Sequence, residues 1–123
     1  MPATVLIVDD ESATIEIMED ILESRGYRVL ATNNPERVLV LMGEDTRRID
    51  VLLVDVVMPQ RPGPDVAALV CQRWPDCKTI FMSGYSLDHL PEYGVPAGAR
   101  ILTKPIAVAA LIDAVRAALG PEG

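Results

Sequence analysis

Four short apolar runs divide the chain: TVLIV at 4–8, VLLV at 51–54, TIFM at 79–82 and RIL at 100–102. They are rich in β-branched residues and do not alternate with polar ones, which is the pattern of strands covered on both faces. A further run, RVLA at 28–31, reads as another strand. Between the runs, apolar positions recur at helical spacing: Ile15, Met18, Ile21 and Leu22, then Val38, Leu41 and Met42, then Val66, Leu69 and Val70. The last segment carries the clearest stripe, Val108, Leu111, Ile112, Val115 and Leu119.

The turn residues agree with this division. Gly26 follows the first helical segment, Asn34-Pro35 supplies a cap and a first-turn proline for the second, and Gly63-Pro64 opens the third. The stretch LDHLPEYGVPAGA at 87–99 occupies the place of a fourth helix, but Pro91, Gly94 and Pro96 predict a short or irregular one. Five alternating strand-helix units with right-handed crossovers predict a parallel sheet with helices on both faces, a three-layer α/β/α sandwich. Ligands of such sheets bind beyond the carboxyl ends of the strands, where the strand order reverses.

Length and composition narrow the picture. Half of the 123 residues are apolar, enough for one core, so residues 1–120 are expected to form a single domain and residues 121–123 a frayed tail. Acidic residues outnumber basic ones 18 to 11, and neither sign forms a block, so direct nucleic-acid binding is not expected. No apolar run approaches the roughly 18 residues of a membrane span, and the N-terminus lacks signal-peptide features, so no membrane contact and a cytoplasmic location are expected. Cys71 and Cys77 have neither CxxC spacing nor a nearby histidine and read as packing thiols. His89 reads as a loop residue and Trp74, beside Pro75, as packing at a helix end.

The candidate chemistry lies at the strand ends. Asp9 and Asp10 follow the first apolar run, Asp55 the third strand, Ser83 the fourth and Lys104 the fifth. Singly, most have a structural alternative: a helix cap for Asp9-Asp10, a turn for Ser83-Gly84, a solvated loop charge for Lys104; a lone carboxylate at a buried strand end, as Asp55 is, is harder to explain structurally. Together they place three acids, a hydroxyl and an ammonium at one edge of the sheet. Carboxylates within ~4–6 Å of one another repel, and a hard divalent cation relieves the repulsion. Mg²⁺ fits best, because it keeps waters and bridges carboxylates to phosphate oxygens. In such a site a carboxylate can attack phosphorus while metal and lysine spread the developing charge, which makes Asp55 the candidate nucleophile.

The segments VLIVDDE, LLVDVVMP, MSGYS and LTKP, in this order and spacing, closely resemble the receiver domain of bacterial two-component response regulators. The resemblance implies a flavodoxin-like sheet of strand order 2-1-3-4-5, phosphorylated on aspartate by a histidine kinase or histidine phosphotransfer protein. It implies a signalling switch rather than an enzyme. Asp55 then resembles the phosphoacceptor, Asp10 a direct metal ligand, Asp9 a ligand acting through water, and the backbone carbonyl of Val57 a third protein ligand. Ser83 resembles the hydroxyl that turns toward the phosphoryl group, Lys104 the lysine that pairs with it, and Pro105 the cis proline that follows. Glu11 has no implied duty beyond that of a first-turn acid favourable to the helix dipole. Val57 and Tyr85 stand where the family's attacking water approaches, and neither side chain is suited to activate it.

Two departures bear on output. Ile101 replaces the Phe or Tyr often found three residues before the lysine, and the broken fourth helix alters the helix 4, strand 5, helix 5 face that commonly serves for docking or homodimerisation. MSGYS and GARILTKP are similar to receivers attached to hybrid histidine kinases. The competing readings are a Mg²⁺-dependent phosphatase working through an aspartyl phosphate and a scaffold receiver that is never phosphorylated.

Overall fold

The structure is a computed structural model that describes residues 2–44, 48–84 and 87–120. The tail at 121–123 and Tyr85 lie outside the described residues. Five strands, β1 (Thr4–Val8), β2 (Arg28–Thr32), β3 (Val51–Asp55), β4 (Lys78–Ser83) and β5 (Arg100–Thr103), alternate with helices α1 (Ser12–Ser24), α2 (Val38–Glu44), α3 (Gly63–Arg73) and α4 (Val108–Leu119). A 3₁₀ turn at Pro35–Arg37 leads into α2, and a second 3₁₀ segment, Leu87–Tyr93, lies between β4 and β5. All strand pairs are parallel, in the order β2-β1-β3-β4-β5, as the resemblance implies.

Every residue of β1 and β3 is buried, which is why their sequences do not alternate. The faces they cover do alternate. Leu6, Val8, Leu52 and Val54 join Val38, Val66 and Val70 in one cluster, while Val5, Ile7, Val51 and Leu53 join Ile15, Met18, Leu22, Leu111 and Val115 in the other. The sheet thus has a core on each side, α2 and α3 closing one and α1 and α4 the other. Burial of each such side chain stabilises by about 1.5–3 kcal/mol, whereas an unpaired carboxylate among them would be strongly unfavourable, so the acids appear only where the strands end.

The helix signals hold with local adjustments. Asn34 accepts from the Glu36 amide at 3.0 Å and Pro35 takes the first position, but that first turn is 3₁₀ and becomes α-helical from Val38. Gly26 adopts φ +88 after α1. The segment containing Pro91 forms no α-helix; it is the 3₁₀ element. The α4 stripe buries Leu111, Ile112 and Val115 but not Val108, which is 53% exposed. Helical side chains lean toward the N-terminus, so the first residue of α4 points past its packed face. Cys77 is buried, and burial pushes its thiol up to about 12, leaving no appreciable thiolate at neutral pH. Trp74 is buried at the end of α3 beneath the Arg73 guanidinium, 4.8 Å from the ring centre. No described helix is long and apolar enough to cross a membrane.

Candidate functional site

The sheet register assembles the site. Val8 pairs with Val54, so Asp9 follows β1 at the level of Asp55 at the end of β3. Asp55 pairs with Met82, which sets Ser83 one residue further along β4, and Ser83 pairs with Thr103, which sets Lys104 just past β5. The Lys104 amide donates to the Ser83 carbonyl at 2.8 Å and the Val56 amide to the Met82 carbonyl at 2.9 Å, extending the ladder through this edge. The Lys104-Pro105 peptide is cis.

One carboxylate oxygen each from Asp9, Asp10 and Asp55 lies within 4.8 Å of the others. Asp9 and Asp55 are buried and Asp10 is exposed. The Lys104 ammonium sits among them, 2.9 Å from Asp9 Oδ2 and 3.2 Å from Asp55 Oδ2, and 3.1 Å from Glu11 Oε1 on the solvent side. Asp9 Oδ1 accepts from the Glu11 amide at 2.9 Å. Asp9 Oδ2, wholly buried, touches the ammonium without the alignment of a hydrogen bond. A buried anionic oxygen short of aligned donors, in a set of hard oxygen ligands, fits a divalent cation and its water.

Electrostatics follow from this crowding. Burial raises the Asp55 carboxyl to about 6; the Lys104 charge opposes the shift and the Asp9 charge adds to it. Burial raises Asp9 too, against the pull of the nearby Lys104 ammonium. Burial works against the Lys104 ammonium, but the carboxylates of Asp9, Glu11 and Asp55 outweigh it and hold the lysine above its ordinary range. Three acids share one cation, so the pocket is short of positive charge.

The structure brings Asp9, Asp10, Asp55 and Lys104 into one cluster. Ser83 stands buried at its rim, and Val57, half-buried two residues past Asp55, packs toward the core on the α3 side. Ile101 packs on that same core and lines a cleft of about 240 Å³ with Leu90, Val95 and Ala99 beside the 3₁₀ segment. His89 is exposed, its Nδ1 3.7 Å from Glu92. Two residues were undervalued in the sequence. Glu11 is not a first-turn acid but the residue before α1, with its carboxylate on Lys104. Gly63, read only as a helix opener, packs so closely under β3 that an added Cβ would collide with the Asp55 carbonyl oxygen. The acid directly after an Asp pair was a readable signal for the first; nothing local announces the second.

The chain matches the response regulator receiver domain family over residues 5–116. It is 36% identical over 116 residues to sensor kinase CckA of Brucella abortus, covering 93% of this chain and 12% of that protein. It is 29% identical over 94 residues to response regulator SaeR of Staphylococcus aureus, covering 76% of this chain and 40% of that protein. The chain therefore spans less than half the length of either relative. Among solved structures, the receiver domain of the hybrid histidine kinase CckA aligns with TM-score 0.80 and 30% identity over 95% of this chain and 99% of that one. A response regulator receiver protein from Sinorhizobium medicae aligns with TM-score 0.83 and 28% identity over 99% and 98%. Vibrio cholerae CheY4, at TM-score 0.84 over 97% of this chain and all of its own, but 23% identity, shares the fold.

Proposed function

The chain belongs to the response regulator receiver domain family, and from that premise we propose that Asp55 is the residue that accepts the phosphoryl group of its signalling switch. The observation that carries this assignment is the Lys104 ammonium, which lies between buried Asp9 and Asp55 at 2.9 and 3.2 Å. A carboxylate nucleophile and the cation that spreads charge on the transferred group are already in contact.

In the transfer, an Asp55 oxygen forms a bond to phosphorus as the phosphorus-nitrogen bond of a donor phosphohistidine breaks, and the departing imidazole takes up a proton. Asp10, Asp55 and the Val57 carbonyl would hold Mg²⁺ directly, with Asp9 acting through water. The ion supplies charge neutralisation at the phosphoryl oxygens. Lys104 pairs with a phosphoryl oxygen, and Ser83 offers its hydroxyl to another. The partner is a histidine kinase or a histidine phosphotransfer protein, in a cytoplasmic setting, with no direct nucleic-acid contact.

The domain acts as a switch rather than a turnover enzyme. Val57 places a branched alkyl group two residues past Asp55, where activation of a hydrolytic water would need a polar one. The readout surface is the face formed by the 3₁₀ segment, β5 and α4, with Ile101 packed beneath it on β5, and self-association through that face is one form the output takes. Incubation with phosphoramidate and Mg²⁺, followed by intact mass, tests the assignment. One added phosphoryl group in the wild type and none in Asp55→Asn is expected; equal labelling of the two overturns it.

A further inference from the structure

The ammonium of Lys104 has three protons to donate and three carboxylates around it. Two of the three acids are buried parts of the pocket. The third, Glu11, has a side chain 63% exposed, yet it reaches back to a lysine whose own side chain is only 17% exposed. Its main chain is engaged as well: the amide donates to Asp9 Oδ1 at 2.9 Å, and the carbonyl accepts the Ile15 amide in the first turn of α1 at 3.2 Å. The backbone of Glu11 is therefore held in place, and its carboxylate stands at the outer side of the ammonium.

We infer that Glu11 is a positioning residue, a latch that holds Lys104 on the solvent side of the pocket and must release it when a phosphoryl group is present on Asp55. The inference rests on the assignment of Asp55 as phosphoacceptor. A phosphoryl group brings more negative charge than the carboxylate oxygen it covers and extends further from β3, so the ammonium has to give up a present partner to follow it. Asp9 is wholly buried, so its oxygens cannot exchange the ammonium for bulk water. Glu11 is exposed and is rehydrated at little cost, so its contact is the one that opens. The same pair lines the wall of a groove of about 450 Å³ between α1 and the loop after β5, with Ile17 and Ile106 beside it, so release of the latch alters a surface outside the pocket.

The contact thus favours the unphosphorylated arrangement, and its removal should favour the other. Beryllofluoride with Mg²⁺, followed by fluorine NMR, reads this as an affinity in four proteins: wild type, Glu11→Gln, Lys104→Ala and the double variant. An exposed ion pair corresponds to about a twofold to fivefold change, so Glu11→Gln should bind the mimic tighter by that factor when Lys104 is present and show no gain in the Lys104→Ala background. An equal gain in both backgrounds would mean that Glu11 acts only as bulk negative charge, and no gain over wild type would mean that it holds nothing; either overturns the latch. If Lys104→Ala abolishes binding of the mimic, the Lys104 ammonium resonance, read without any phosphoryl group, decides. It should move in Glu11→Gln, and an unmoved resonance overturns the contact. That resonance does not depend on which residue is phosphorylated, so failure of the latch and failure of the Asp55 assignment are told apart.

Discussion

Asp55 and Lys104 are 49 positions apart in the sequence and lie within 3.2 Å of each other at adjoining ends of β3 and β5, with β4 between their strands. On the proposed assignment of Asp55, the lysine links the phosphoryl site to the last strand and to the face beyond it. Replacing Lys104 by Ala should leave the fold intact, because its side chain belongs to neither core, but should uncouple that face from the phosphoryl group. Amide NMR with and without beryllofluoride checks this. Resonances of β5 and the 3₁₀ segment should move in the wild type and stay in place in the variant; a full wild-type shift would remove Lys104 from the mechanism.

Asp55 carries a stability prediction with a definite sign. Its folded value near 6 lies above the ordinary 3.8, so between these values the folded protein holds a proton that the unfolded chain releases. The associated stability is present below pH ~4 and is lost as pH rises through about 6. In chelator, without metal, Asp55→Asn should therefore stabilise at neutral pH by on the order of 1–2 kcal/mol and flatten the pH dependence of Tm between pH 4 and 7. A lower Tm in the variant at pH 7 would contradict the strained carboxylate.

Gly63 supports the site from below. A methyl group there meets the carbonyl of Asp55 itself, a backbone atom held by the central strand, so Gly63→Ala should destabilise by about 1–3 kcal/mol. It should also weaken phosphorylation more than an equally destabilising change far from the pocket, such as Ala118 to Gly in α4. Urea melts paired with labelling rates at equal folded fraction would test this, and full activity in Gly63→Ala would show that β3 absorbs the extra carbon without moving Asp55.

Val57 should prolong the phosphorylated state. An alkyl side chain cannot orient water, so Val57→Asn is expected to shorten the lifetime of the acyl phosphate by about threefold or more, less than the ~10²–10⁴-fold of a full general base because an amide only positions the water. Tyr85 is expected to act with it, and Tyr85→Glu should add to the effect. Loss of the phosphoryl group followed in Mg²⁺ after donor removal decides; equal or slower loss in the polar variants would show that these side chains do not guard the bond.

Much of this architecture was legible because the sequence writes burial directly. A strand covered on both sides has no polar position to spare, so VLIV and VLLV declared parallel strands and the acids after them declared the strand ends. Asp9, Asp10, Asp55 and Lys104 were readable for that reason, and the register then had only to bring them level. The local pattern could not say that Glu11 turns its carboxylate back onto Lys104, 93 residues later, since no neighbour along α1 dictates it. Nor could it say that Gly63 is needed for space rather than for its backbone angle, since that depends on how α3 lies beneath β3. Pro91, Gly94 and Pro96 announced a short or irregular helix, but a 3₁₀ element uses different hydrogen bonds, and its formation depended on Leu90 and Val95 finding places in the core.

The assignment of Asp55 is tested most directly by marking the acyl phosphate chemically where it forms. Borohydride reduces an aspartyl phosphate to homoserine and spares free carboxylates, so the protein is phosphorylated from acetyl phosphate in Mg²⁺, reduced, digested and sequenced by mass. The modified residue should be Asp55 alone, with none in chelator and none in Asp55→Asn. Homoserine at Asp9 or Asp10, or undiminished modification in Asp55→Asn, would contradict it.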